Sequence, residues 1–64
     1  MDGTIRDNVT EGMEVDVVQK QDQSSGELIR GIVADILTSS AEHPRGIKVR
    51  LEDGKVGRVQ NIVR

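Results

Sequence analysis

The sequence contains no cysteine and no Phe, Tyr or Trp, and it has one proline and one histidine. Without cysteine, neither a disulfide framework nor a thiolate metal site can form. Without aromatic rings, the core must be built from aliphatic side chains, each of which contributes roughly 1.5–3 kcal/mol when fully buried. Base stacking on aromatic side chains, a common way to hold single-stranded nucleic acid, is excluded as well.

Long apolar runs are also missing. No segment approaches the roughly 18 apolar residues of a membrane-spanning helix, and the N-terminal MDGTIRDN lacks the basic region and apolar stretch of a signal peptide. We therefore expect a cytoplasmic protein with no membrane partner. A length of 64 residues predicts a single domain, residues 1–64, of modest stability, so weak self-association is left open.

Positive charge is scarce overall but concentrated in the second part of the chain. The formal net charge is −2. Residues 1–42 hold three cations and nine acids, whereas residues 43–64 hold six cations and two acids. This asymmetry is typical of a surface that binds a polyanion, and equally of two halves that neutralise each other.

Alternation and β-branching predict four strands, near residues 13–20, 28–37, 47–53 and 56–63. The second, LIRGIVADIL, is apolar at both parities, and Gly31 suits a bend after which the strand buries its opposite face. A helix over residues 27–37 is the less favoured alternative. Before Gly12, the i, i+4 spacing of Ile5 and Val9 permits at most one short helical turn.

These elements predict an all-β fold, a small SH3-like barrel of about four to five strands. The Gln-, Asp- and Ser-rich loop of residues 19–27 indicates no site of its own. The predicted core consists of the inward-facing residues Val15, Val17, Leu28, Val33, Ile36, Ile47, Val49, Leu51, Val56 and Val59.

The dipeptide Asp53-Gly54 is the strongest turn signal in the chain. It predicts a two-residue type I′ turn between two antiparallel strands. Pairing outward from this turn sets Glu52 opposite Lys55 as an exposed ion pair, and Leu51 opposite Val56.

The next step of strict pairing would place Arg58 beside Val49 on the core face. We therefore predict a β-bulge at Gly57, where glycine is tolerated. The bulge sets Val59 opposite Val49 and Arg58 opposite Arg50, so that the two arginines share the outer face.

The basic outer face of this hairpin is the predicted nucleic-acid-binding site. Like charges directly opposite each other are destabilising, so either an external anion or an internal carboxylate such as Asp16 or Asp35 must cover them. The sequence leaves both solutions open. The predicted site residues are Arg45, Lys48, Arg50, Lys55 and Arg58.

Little in the sequence suggests catalysis. One histidine and no cysteine give scant material for an activated nucleophile, and GKVGR lacks the strand–loop–helix setting of a phosphate-binding loop. His43, beside Pro44, is expected to hold its position in the loop or to form a hydrogen bond with loop backbone, not to bind a metal. We predict no enzyme activity, no catalytic residues, no metal site and no cofactor.

The run DQSSGELIRGIVADILTSSAEHPRGIKVRLEDGKVGRVQNI resembles the YwbE-like family of small uncharacterised prokaryotic proteins. The resemblance covers about residues 5–63 and brings no known activity. More loosely, EGMEVDVVQK followed by GELIRGIVADI is similar to the KOW motif of ribosomal proteins and transcription elongation factors. That likeness implies a KOW-like barrel with RNA or protein contacts, although KOW loops tend to be basic and this one is not.

Two functions therefore compete. The first is a non-catalytic module that contacts structured RNA or a ribosomal surface through the basic C-terminal hairpin, gaining affinity from phosphates without reading sequence. The second is a protein-interaction or assembly module that recognises an acidic partner through the same cations. The KOW likeness favours RNA, whereas the sequence pI of about 5.2 argues against it.

Overall fold

Alternating apolar residues form four antiparallel strands in the computed structural model, which describes residues 2–64. Two short 3-10 turns, Arg6–Asn8 and Lys20–Asp22, accompany them. Each strand pairs with the next and the last pairs with the first, closing a barrel. The strands are β1 (Glu14–Val18), β2 (Leu28–Ile36), β3 (Lys48–Leu51) and β4 (Val56–Ile62).

This architecture confirms the predicted all-β barrel with only a short helical turn before Gly12. Residues 28–36, for which a helix was the alternative, form the longest strand. Within residues 2–64, no helix has the length and apolar character needed to cross a membrane.

Strand β2 serves two neighbours in succession. Its first half pairs with β1, and its second half pairs with β3. The register shifts between Val33 and Asp35, which makes Ala34 the extra residue of a bulge. Ile29 packs on the core before the bulge and Ile36 after it, so the inward parity changes at Ala34 and not at Gly31 as the sequence suggested.

The connection between β3 and β4 corrects the predicted turn. Leu51 N donates to Lys55 O at 2.8 Å, and Gly54 N donates to Leu51 O at 2.9 Å. The loop therefore contains three residues, Glu52 to Gly54, with Gly54 at φ +92°. This is the common hairpin loop in which a type I turn is followed by a left-handed glycine.

The third loop residue moves every cross-strand pair of the hairpin. Val49 lies opposite Gly57, and Lys48 lies opposite Arg58. The predicted bulge at Gly57 and the predicted pairing of Arg50 with Arg58 are therefore wrong, because the longer loop already places Val49 and Val59 on the inner face without a bulge there. The irregularity in β4 occurs instead at Gln60, which the register of β1 with β4 skips.

The core is small and entirely aliphatic. Seven of the predicted members are buried, and Val9 joins them, although the predicted core did not include it. Ile36 is half-buried and packs against the core. Two residues were wrongly assigned to it: Leu28 is 40% exposed because it shares the outward parity of β2, and Val56 lies opposite Arg50 on the outer face. The buried residues are Val9, Val15, Val17, Val33, Ile47, Val49, Leu51 and Val59.

Val49→Ala tests this arrangement of the hairpin. The Val49 side chain is fully buried, so removing two methyl groups should lower the free energy of unfolding by about 2 kcal/mol. Urea denaturation followed by far-UV circular dichroism measures the change. Lys48→Ala, one residue away and exposed, is the control and should stay within about 0.5 kcal/mol. Equal losses in both variants would contradict the assignment of the inner face.

Candidate functional site

Two adjoining depressions lie between the segment that follows β1 and the β3–β4 hairpin. The larger, about 870 Å³, is here called the basic groove, and the smaller, about 520 Å³, the side pocket. The four residues that line both are Val18, Gln23, Arg45 and Arg58.

The lining of the basic groove carries charge of one sign. Its titratable residues are cations and the single histidine, and no Asp or Glu among the described residues contributes to its surface. A concave surface lined by one sign of charge concentrates ions of the opposite sign. These groove residues are Lys20, His43, Arg45, Lys48, Lys55 and Arg58.

Arg50, a predicted site residue, lies outside this groove. It is the cross-strand partner of Asp35 on β2, and both Nε, at 3.0 Å, and Nη2 donate to Asp35 Oδ2. The charge of Arg50 is thus covered by an internal carboxylate, one of the two solutions that the sequence allowed. The structure does not bring Arg50 together with Arg58.

The other candidate carboxylate, Asp16, is occupied elsewhere. It accepts from Arg30 Nε at 2.8 Å across the β1–β2 pair. The hydrogen bond from Arg30 lowers the pKa of the Asp16 carboxyl below its usual value. Asp16 therefore pairs with Arg30 on the neighbouring strand and does not cover the arginines of the hairpin.

Lys55 lines the groove but is neutralised within the hairpin turn. Its ammonium lies 3.0 Å from Asp53 Oδ2, and its backbone N–H donates to Asp53 Oδ1 at the same distance. The backbone bond first, and the ammonium next, lower the pKa of the Asp53 carboxyl. Both side chains are about half exposed, so the pair is weakly held.

Ion pairing divides the cations of the chain by location. In residues 2–64 four arginine or lysine side chains pair with carboxylates, namely those of Arg30, Arg50, Lys55 and Arg64. Of the remaining cations in that range, Arg6 alone lies away from the groove. The other four, Lys20, Arg45, Lys48 and Arg58, all line it.

The pair formed by Lys48 and Arg58 concentrates this charge most strongly. The two residues are direct cross-strand partners on β3 and β4, where like charges destabilise a sheet. Arg58 Nη1 donates to Gly46 O at 3.2 Å, which fixes the guanidinium without neutralising it. An anion bound in the groove would relieve the repulsion.

The segment 43–46 places Arg45 beside this pair. His43 Nδ1 accepts from Arg45 N at 3.2 Å, which confirms the expected hydrogen bond of His43 to loop backbone. Gln60 Nε2 donates to Arg45 O at 2.9 Å and so ties the segment to β4. Segment 43–46 crosses close to β4 at Gly46. This residue has no side chain to collide with the backbone of Val59, and it adopts φ +103°.

The structure therefore brings four of the five predicted residues together and adds others. Lys20, from the 3-10 turn after β1, was missed, because nothing local in QKQDQSSGE marks a lysine that folds over a distant hairpin. Gln23 and Gln60 were missed for the same reason. Across residues 2–64, no three His, Asp or Glu side chains come close enough to hold a metal ion.

Comparisons with known proteins agree with the resemblance seen in the sequence. A family model described as "Uncharacterized conserved protein (DUF2196)" matches residues 2–62. The chain is 57% identical over 63 residues to "Uncharacterized protein YwbE" of Bacillus subtilis (strain 168), covering 98% of this chain and 97% of that protein. No solved structure matches. The resemblance to the YwbE-like family is thereby confirmed.

Proposed function

We propose that this chain, which belongs to the uncharacterised conserved family DUF2196, is a non-catalytic module whose basic groove binds the phosphate backbone of structured RNA. One observation carries the proposal. Of the five arginine and lysine side chains in residues 2–64 that form no ion pair, four line a single groove.

A polyanion suits this groove better than a single small anion. The cations come from the turn after β1, the segment before β3, and both hairpin strands, so they are spread along the groove. Phosphates repeated along a nucleic-acid backbone can meet several of them at once, and each contact releases condensed counterions. The acids elsewhere on the chain, whose net charge is −2, repel the same ligand and restrict it to this face.

Structured RNA fits the lining better than a free single strand. The chain has no aromatic ring on which successive bases could stack. The glutamines at positions 19, 21 and 23 bring amide groups to the groove, which can both donate and accept. Such groups suit the 2′-hydroxyl and phosphate contacts by which proteins recognise folded RNA.

An acidic protein remains the alternative ligand, since carboxylates would satisfy the same cations. Addition of a partner strand is a poor route for it, because the sheet closes into a barrel in which each strand has a paired neighbour on either side over at least part of its length. Binding to the groove would therefore have to rest on side-chain charge alone.

Two double variants that carry the same net charge test the role of the groove. Arg45→Ala/Lys48→Ala removes two groove cations, whereas Arg30→Ala/Arg50→Ala removes two cations that already have carboxylate partners. The dependence of log K on log salt for a labelled RNA hairpin, measured by fluorescence anisotropy, should flatten by roughly 1.4–1.8 in the groove variant. The control variant should keep the wild-type slope.

The same titrations distinguish the competing explanations. Equal flattening in both variants would mean that RNA senses only overall charge, and the groove would lose its role. Binding of polyglutamate with no binding of the RNA hairpin would favour the acidic-protein alternative. Far-UV circular dichroism of each variant confirms that the barrel is intact.

A further inference from the structure

The side pocket differs in chemistry from the basic groove that it adjoins. Its lining combines two aliphatic side chains, Val18 and Leu28, with Arg45, Arg58 and several amide or hydroxyl groups. Leu28 is one of three large apolar residues exposed in residues 2–64. Leu28 lines the side pocket, so part of its apolar surface is available to a ligand there.

The barrel arranges these side chains in one row. Lys48 pairs with Arg58, Arg58 pairs with Val18, and Val18 pairs with Leu28, so the row crosses β3, β4, β1 and β2. Neighbouring strands lie about 4.8 Å apart. The row is therefore cationic over its first two positions and aliphatic over its last two.

We infer that the side pocket holds one unstacked nucleobase of the RNA whose backbone lies in the basic groove. A nucleotide has the same division of chemistry as the row, with an anionic phosphate at one end and a flat, largely apolar base face at the other. The inference rests on the proposed function and narrows its ligand to RNA with an unpaired nucleotide, such as a bulge, beside a helix.

Arg58 supplies the flat surface that an aromatic ring would otherwise provide. Its Nη1 is fixed by the hydrogen bond to Gly46 O at 3.2 Å, and a fixed guanidinium plane can stack on a base. Leu28 and Val18 continue that surface with aliphatic contact. Although the chain has no Phe, Tyr or Trp, Arg58 and these two aliphatic side chains can therefore hold a single base, but not a run of stacked bases.

Amides at the pocket rim can hydrogen-bond the edge of the base. Gln60 Nε2 donates to the carbonyl oxygens of Arg45, Arg58 and Val59, at 2.9, 3.2 and 3.3 Å. That orientation leaves Gln60 Oε1 to accept a hydrogen bond from a ligand. Gln23 and Ser24, from the loop between β1 and β2, add groups that can donate and accept.

Two exposed leucines of similar setting give the test. Leu28 begins β2 and lines the pocket, whereas Leu37 directly follows the last residue of β2 and does not; they are 40% and 43% exposed. The probes are an RNA hairpin with one bulged nucleotide and the same hairpin fully paired. The wild type should bind the bulged hairpin roughly tenfold more tightly, as expected for one stacked base.

Leu28→Ser should lower this preference while leaving the affinity and salt slope for the paired hairpin unchanged. Leu37→Ser should keep the preference. If the wild type binds both hairpins equally with the expected salt slope, the pocket inference is overturned and the proposed function stands. If neither hairpin is bound, the proposed function fails first. Loss of the preference in both leucine variants would also overturn the assignment to this pocket.

Discussion

Gly46→Ala is expected to unfold a large part of the protein population. A Cβ at this position would overlap Val59 O and lie 3.1 Å from Val59 C, and both are backbone atoms of β4, which is paired with β1 and β3 and cannot move aside. The residue also adopts φ +103°, which an L side chain rarely tolerates. We expect a loss of at least about 3 kcal/mol, against a total stability of roughly 3–10 kcal/mol for a domain of this size.

Gly54→Ala is the matched control for the backbone conformation alone. Gly54 has a similar φ of +92°, but nothing lies within 4 Å of the added Cβ. The left-handed conformation by itself should cost about 1–2 kcal/mol. Urea denaturation must be followed by far-UV circular dichroism, because the chain has no aromatic fluorophore. Equal losses in the two variants would show that segment 43–46 does not cross β4 as closely as described.

Gly46 links the stability of the barrel to the shape of the groove. Its close crossing of β4 sets the position of Arg45, and its carbonyl oxygen fixes the Arg58 guanidinium. The bulge at Gln60 lies at the same crossing and provides the amide that holds Arg45 O. Arg45 and Arg58 are therefore positioned by the backbone of this crossing.

The inner face of β3 could be predicted from the sequence, but its partners could not. The period of two in IKVRL assigns Ile47, Val49 and Leu51 to the core regardless of what lies beside them. Register depends on loop length, and Asp53-Gly54 suits both a two-residue turn and a three-residue loop with a left-handed glycine. One extra loop residue, together with the absence of a bulge at Gly57, changed the partner of Arg50 from Arg58 to Val56.

Strand β2 shows a second limit. Both parities of LIRGIVADIL are apolar, so the choice between Leu28 and Ile29 for the core depends on which strand packs against which half. The bend was expected at Gly31 because glycine is permissive. Glycine is needed there for a different reason, which is that Leu51 Cδ1 fills the space a side chain would occupy.

The candidate site required the same long-range information. Which cations stay unpaired depends on cross-strand neighbours such as Asp35 beside Arg50 and Asp16 beside Arg30. Those neighbours follow from register and bulges, not from composition. The presence of a basic surface on the hairpin could be inferred from charge alone, whereas its shift toward Lys20 and away from Arg50 could not.

Leu51→Ala should be among the most destabilising side-chain truncations in the protein. The Leu51 side chain is 1% exposed, and truncation of a buried leucine costs roughly 2–5 kcal/mol through lost contacts and the cavity left behind. Gly31→Ala should also be destabilising in the wild type, because its Cβ would lie 2.7 Å from Leu51 Cδ1. Overpacking of this kind costs roughly 1–3 kcal/mol.

Combined, the two substitutions should compensate each other. Leu51→Ala removes Cδ1 and Cγ, the two atoms nearest the added methyl group, so the methyl group of Gly31→Ala then fills part of the cavity. Gly31 is not among the glycines with positive φ, so alanine is conformationally acceptable there. The coupling free energy from a double-mutant cycle should be about 1–3 kcal/mol in favour of the pair.

On a Val49→Ala background, where the Leu51 atoms remain, Gly31→Ala should cost as much as in the wild type. Additive losses for Gly31→Ala and Leu51→Ala would mean that β2 and the end of β3 do not meet as this packing requires.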